Sequence, residues 1–326
     1  MIETEEYIYS GIPTFMSSPY VSLDKSSGYD VAVLGVPIDF GSSYRLGSKY
    51  GPRAIREYSM LDRVSKGKYY DLDSETWIQS NHLSICDIGD LNIWPTDPEK
   101  NNSELINTVY RIRKNSFPII IGGDHSITYS NFKGCVKALS QLNKNIGILH
   151  FDAHLDTEGE YLPSLPPRWH GNPFSALIEE GILEGNKLVT VGPRGRISEE
   201  SYKYTKKKGI HLITSSKVKK LGINTVIKQV KEIFSTNTDY IFLTIDIDCL
   251  DISQSPGTGT PKYGGLNTGE LIQALISFKE LPIIGMDLVE VNPKFDPSGS
   301  TAIIAGELLY NFLSFGFNQK VQPPKN

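Results

Sequence analysis

A chain of 326 residues with 39% hydrophobic and 21% charged content can bury one large core or two small ones and has the composition of an ordinary globular protein. Its formal net charge of -4 argues against a nucleic-acid surface, and no apolar run reaches the ~18 residues that a membrane span needs. The acidic start Met1 to Glu6 lacks the features of a signal peptide, and Cys86, Cys135 and Cys249 form no Cys-x-x-Cys pair, so buried thiols in a reducing cytoplasm are expected.

Met1 to Gly28 reads as an arm over the surface. A strand is expected at Val31–Val36, and Pro52 suits the first turn of a helix over Arg53–Met60. A strand at Leu83–Ile88 precedes a helix at Ser103–Lys114; a strand at Pro118–Ile121 precedes a helix at Ile127–Leu142. Ile146–Phe151 is the next strand, followed by a loop, Thr157–Trp169, that holds three prolines. A helix over Pro173–Leu183 and strands at Leu188–Val191 and Ile210–Ile213 come next. The lysine runs 206–208 and 217–220 read as solvated helix faces. A helix at Thr225–Phe234, a strand at Tyr240–Ile245, a helix at Leu271–Phe278 with Asn267 and Glu270 as its capping pair, and a strand at Pro282–Met286 complete the order. Asn318 to Asn326 is a polar, proline-bearing tail.

The eight strands are apolar throughout rather than alternating, as in a parallel sheet covered on both faces. Strand–helix alternation over 1–326 argues one α/β domain, a three-layer α/β/α arrangement on an eight-stranded parallel sheet.

Motifs rich in acids and histidine follow several of these runs. They are Gly122-Gly-Asp-His-Ser126, Asp152-Ala-His-Leu-Asp156, Asp246-Ile-Asp248 and Glu290-Val-Asn-Pro293. Ligands of an open parallel sheet gather beyond the carboxyl ends of its strands, so the motifs are expected to converge. If the backbone stays extended, Asp152, His154 and Asp156 share one face, as do Asp246 and Asp248. A lone Asp-x-Asp after a strand is usually a turn or cap; three such motifs in one chain point to metal. Carboxylate and imidazole without thiolate suit Mn, Fe, Ni, Co or Zn in a catalytic rather than a structural zinc site. Four aspartates carry four negative charges, which two divalent ions neutralise and one does not. Two such ions about 3.5 Å apart lower the pKa of a water between them to about 7.

With Ser255-Pro-Gly-Thr-Gly-Thr-Pro261 and Trp169-His-Gly-Asn-Pro-Phe174, these motifs resemble those of the ureohydrolase family (arginases, agmatinases and related amidinohydrolases) over nearly the whole chain. The resemblance implies an arginase-like fold, two Mn(2+) per subunit and homotrimers or homohexamers. It implies metal ligation by His125, Asp152, His154, Asp156, Asp246 and Asp248. His170 matches the family's proton-shuttling histidine, and Glu290 the carboxylate that holds the substrate guanidinium. Asp156 is the expected carrier of a proton to the leaving amine. His150 is at best a neighbour of the ligands; His82 and His211 have no motif around them.

Substrate identity is the finer question. Gly35-Val-Pro-Ile-Asp39 through Arg45-Leu-Gly47 to Gly51-Pro-Arg-Ala-Ile-Arg56 resembles the agmatinase branch. Glu158 stands where arginases carry an asparagine for the substrate carboxylate, and Gly195 where they carry an aspartate for the α-amino group. Glu158 would attract an ammonium tail, which favours agmatine hydrolysed to putrescine. Arg168, Arg194 and Arg196 could pair with a carboxylate instead, suiting guanidinobutyrate, guanidinopropionate or arginine. Trp169 could narrow the pocket for a smaller guanidine, as in a guanidinase, and Asn172 is a further candidate substrate contact. From another class, a one-metal deacetylase uses a similar Asp-x-His plus Asp set; a full second set of ligands argues against it.

Overall fold

The computed structural model describes residues 10–62, 68–72, 75–79, 83–158 and 169–318. Arg168, His82 and the tail from 319 lie outside the described residues. The strands are β1 (Val31–Val36), β2 (Lys68–Asp71), β3 (Thr76–Gln79), β4 (Ile85–Asp90), β5 (Phe117–Gly122), β6 (Ile146–Phe151), β7 (Leu188–Val191), β8 (His211–Ile213), β9 (Tyr240–Asp246) and β10 (Ile283–Val289). Eight of them form a wholly parallel sheet in the order β4-β1-β5-β10-β9-β6-β7-β8.

Successive strand residues point to opposite faces, and each face has its own core. Val31, Val33, Ile119, Ile121, Leu243 and Ile245 face one side. Helices α1 (Gly51–Ser59), α7 (Ile223–Ser235), α8 (Thr268–Ser277) and α9 (Ser300–Asn311) contribute to this core. Ala32, Leu34, Ile120, Ile148 and Phe242 face the other, with α2 (Pro98–Arg113), α3 (Ile127–Leu139) and α4 (Pro173–Glu179). Burial on both faces is why these strands read as continuous apolar runs. Two lysine-bearing helices, α5 (Glu199–Lys208) and α6 (Ser215–Leu221), pack at the β8 end.

Differences from expectation have local causes. The hairpin β2–β3 was not anticipated because it is short and largely exposed: Ile78 is buried, but Tyr69, Tyr70 and Trp77 are exposed, and Tyr70 meets Trp77 edge-on at 5.3 Å. Helix α2 begins a turn early, at Pro98, because the Asp97 carboxylate caps it by accepting from the Lys100 amide at 2.9 Å. Strand β10 runs through a buried acid, Asp287, that the apolar pattern excluded.

The described part of the N-terminal segment is more than a surface arm. Phe15 is fully buried, and Val21 and Pro19 exchange backbone hydrogen bonds with Asp87 along the edge strand β4. Arg56 holds Asp87 through two hydrogen bonds of 2.7 and 3.0 Å, and the Phe15 amide donates to the same carboxylate at 2.8 Å. This covers a sheet edge that would otherwise expose unpaired backbone.

Candidate active site

Four adjacent strands, β5, β10, β9 and β6, end on chemistry-bearing residues. Strand β5 leads into Gly123, where a Cβ would lie 1.8 Å from the Ile38 carbonyl oxygen, so only glycine fits. The Gly123 and Asp124 amides donate to Val36 and Ile38 at 2.9 and 2.7 Å, which fixes the turn presenting His125. Strand β9 ends on Asp246, β6 leads into Asp152, and β10 leads into Glu290.

The paired acids do not line up through extended backbone, as spacing alone suggested. Asp246 accepts from the Asp248 amide at 2.8 Å, opening a 3₁₀ turn over Ile247–Cys249. Asp152 accepts from the His154 amide at 2.6 Å in the same manner. Short acidic side chains make such turns with the backbone two residues on, and the turns curl both motifs into one centre.

All six expected ligands converge there. Nδ1 of the buried His125 lies 2.9 Å from Asp156 Oδ2, 3.2 Å from Asp152 Oδ2 and 3.4 Å from Asp246 Oδ2. Nδ1 of His154 lies 3.1 Å from Asp248 Oδ2 and 3.3 Å from Asp152 Oδ1. Asp152 belongs to both groups. His150 directs Nε2 at Asp152 Oδ2, 2.8 Å away, while its Nδ1 meets the Thr190 hydroxyl at 3.1 Å. It therefore orients Asp152 rather than adding a ligand.

Cations fit this arrangement. His125 Nδ1 has three carboxylate oxygens around it, yet none in hydrogen-bonding geometry. Its other nitrogen meets the Thr244 hydroxyl at 2.9 Å, leaving Nδ1 aimed at the acids. Burial, then the neighbouring Asp248 and Asp152, raise Asp246 well above the usual carboxylate range. Burial, then Asp152, push Asp156 up to about 7. Acids this crowded ionise together only with positive charge among them, and two divalent cations held by these residues would supply it.

On the β10 side, the Glu290 amide donates to Gly123 at 2.7 Å. Its Oε1 accepts from the His125 amide at 3.1 Å and meets His170 Nδ1 at 3.0 Å. Oε2 is buried without a partner, and a Cβ on Gly259 would come within 3.1 Å of it. Glu290 and Asp156 both have positive φ, 65° and 50°, a strained conformation for such residues. Burial alone would lower the His170 pKa, but the Glu290 carboxylate outweighs it and pushes it up to about 9. Ser43 Oγ lies 2.8 Å from His170 Nε2, and the Ser43 amide 3.2 Å. The hydroxyl accepts from protonated Nε2 or donates to neutral Nε2; the amide bonds only to the neutral form.

The expected tail contacts fare differently. Glu158, half-buried, lines a cavity of about 140 Å³ beside His154, together with Arg196 and Lys262. Trp169 is 9% exposed, its ring 5.1 Å from that of His170 and packed over Gly171. Asn172 is buried just before α4, with Oδ1 unpartnered. Arg194 also lines the cavity, but its guanidinium is bonded to backbone carbonyls. Ser43, Thr244 and Lys262 were not anticipated: Ser43 and Lys262 stand in no acidic or histidine motif, and Thr244 only opens the stretch that leads to Asp246.

The profile of the Arginase family matches residues 29–314. A guanidinopropionase from Pseudomonas aeruginosa is 31% identical over 318 residues, 94% of this chain and 92% of that protein. An agmatinase from Chromobacterium violaceum is 32% identical, across 97% of this chain and 92% of its own. The solved structure of the proclavaminate amidinohydrolase of Streptomyces clavuligerus matches with a TM-score of 0.82 at 29% identity, covering 97% of this chain and 100% of that one. Fold, metal-ligand cluster and these likenesses agree: the chain belongs to the arginase family and is a ureohydrolase.

Proposed function

We propose that this enzyme hydrolyses the guanidino group of a linear substrate to urea and an amine, with two Mn(2+) held by His125, Asp152, His154, Asp156, Asp246 and Asp248. The observation that carries this reading is the buried, unpartnered Oε2 of Glu290 beside a cluster of six ligands. When bound, the cations supply Lewis-acid activation of water at neutral pH.

The chain's own residues do the rest. Glu290 Oε2 accepts from a guanidinium N–H and fixes the planar group for attack, since a resonance-stabilised cation is a poor electrophile unless held in line. Asp156, whose Oδ2 lies 2.9 Å from His125 Nδ1 inside the cluster, carries a proton to the leaving amine. His170 passes protons between the site and solvent, with Ser43 able to meet either protonation state of Nε2. Trp169 shields one side of His170 from water.

For the substrate tail, Glu158 alone supports agmatine, the preference reached from sequence. The cavity it lines also carries Arg196 and Lys262. Two cations against one carboxylate support an anionic tail, so a guanidino acid such as 4-guanidinobutyrate or 3-guanidinopropionate is the reading favoured here. Similarity does not decide between them, because the guanidinopropionase and the agmatinase are equally near.

Urea release by the Mn(2+)-loaded protein, measured across agmatine, 4-guanidinobutyrate, 3-guanidinopropionate, arginine and guanidine, tests this. Highest kcat/KM on a guanidino acid is expected. Highest turnover of agmatine would return the tail to Glu158, and hydrolysis of acetylated amines without urea release would defeat the reading.

A further inference from the structure

Arg194 sits on the loop after β7, and its side chain forms a dense set of contacts to backbone oxygens. Nη2 donates to Asp248 O at 2.7 Å, Lys262 O at 2.8 Å and Leu250 O at 3.0 Å. Nη1 reaches Cys249 O at 3.2 Å and Gly192 O at 3.3 Å, and Nε reaches Tyr263 O at 3.0 Å. The planar fork is thereby committed to three chain segments and is not available to a substrate carboxylate.

Those contacts fall on one half of the metal cluster. The backbone amide of Arg194 donates to Ala153 O at 3.0 Å, and the Ala153 amide donates to Asp248 Oδ1 at 3.1 Å. Arg194 thus ties the Asp152–His154 turn to the turn that carries Asp248. His125 is held separately, by Thr244 through its imidazole and by Glu290 through its amide. Apart from Asp152, which both share, the two halves rest on different supports.

We infer that Arg194 is a positioning residue for the cation held by His154, Asp248 and Asp152, setting the affinity of that position without setting that of the His125 position. This rests on the two-cation reading above. Partners that orient metal ligands are worth roughly 10- to 100-fold in affinity, and Arg194 holds the backbone of a ligand and of its neighbours. Lysine would keep the charge but lose the fork, which cannot be reproduced by a single ammonium.

The test is equilibrium dialysis of wild-type, Arg194→Lys and Arg194→Ala protein against Mn(2+), with elemental analysis and electron paramagnetic resonance of the same samples. Expected for both variants is one of the two binding steps weakened roughly 10- to 100-fold with the other unchanged, and loss of the exchange-coupled signal in favour of isolated Mn(2+). The lysine variant guards against simple unfolding of the alanine one; circular dichroism identifies a folded sample. Wild-type affinities at both steps in Arg194→Lys overturn the assignment, as does equal weakening of both. A wild-type chain that binds a single ion overturns the two-cation reading itself, and this inference with it.

Discussion

Glu290 Oε1 is shared between His170 Nδ1, at 3.0 Å, and the His125 amide, at 3.1 Å, while Oε2 of the same carboxylate is buried with no partner. One oxygen is spent on holding the site together and the other is left for a ligand. Glu290→Gln keeps the shape but removes the charge that a guanidinium needs. Losing a buried charge-assisted contact costs about 3 kcal/mol, or roughly 100-fold in kcat/KM. Metal content measured by elemental analysis should be unchanged; a loss of bound metal in step with activity would make Glu290 part of the cation centre instead.

His125 and Asp248 belong to opposite halves of the cluster. His125→Ala and Asp248→Ala are therefore each expected to retain one ion per chain and lose nearly all turnover. Two ions bound by either variant, or full activity, would dissolve the cluster as described.

Much of this was legible before any coordinates, and the reason is physical. Strands buried on both faces must be apolar along their length, so all eight stood out, and ligands at strand ends follow from the sheet's polarity. The neighbour relation was not legible: β10 lies between β5 and β9, which brings Glu290 against His125 although 165 residues separate them. Nor was the device that gathers the acids, since an Asp that turns the chain and one on a flat strand have the same spacing. Ser43 and Thr244 act through single hydroxyls, which leave no periodic or compositional trace. The hairpin β2–β3 and the N-terminal edge cover depend on aromatic and backbone contacts with no pattern of period two.

The Arg56–Asp87 pair is 7% and 0% exposed, with the Phe15 amide on the same carboxylate. Asp87→Ala strands a buried guanidinium and frees the segment over β4. A loss of about 3–5 kcal/mol in urea unfolding is expected. A loss under about 1 kcal/mol would mean that Arg56 finds sufficient compensation in Asp90 and the Gly89 carbonyl.

Asp296 accepts from the Thr301 amide at 2.7 Å and the Ser300 hydroxyl at 3.0 Å at the start of α9, and Thr301 in turn takes the Gly257 amide at 2.9 Å. Burial opposes ionisation of Asp296, but these bonds and those from Ser298 outweigh it and bring its pKa down to about 2. A folded pKa below the unfolded value of about 3.9 gives stability that is present above that pH and lost as pH falls through about 2. Asp296→Ala should therefore be less stable than wild type near neutrality, and the gap in urea midpoint should close between about pH 4 and pH 2. A gap that stays constant across that window would assign the effect to packing.

Lys262 lines the same cavity as Glu158, and Gly195, at φ 85°, leaves it room: a Cβ there would stand 3.2 Å from the ammonium nitrogen. Among the described residues it forms no ion pair, and it lines the cavity together with Glu158 and Arg196. Lys262→Glu would put two carboxylates where the tail is read, opposing an anionic end and attracting an ammonium. The ratio of kcat/KM for 4-guanidinobutyrate over agmatine is expected to fall by at least about tenfold, equivalent to about 1.4 kcal/mol. Because Lys262 is not among the metal ligands, bound metal should stay constant, which separates a specificity effect from damage to the centre. An unchanged ratio would remove Lys262 from substrate recognition and leave Arg196 as the remaining cation of the cavity to bear the guanidino-acid reading.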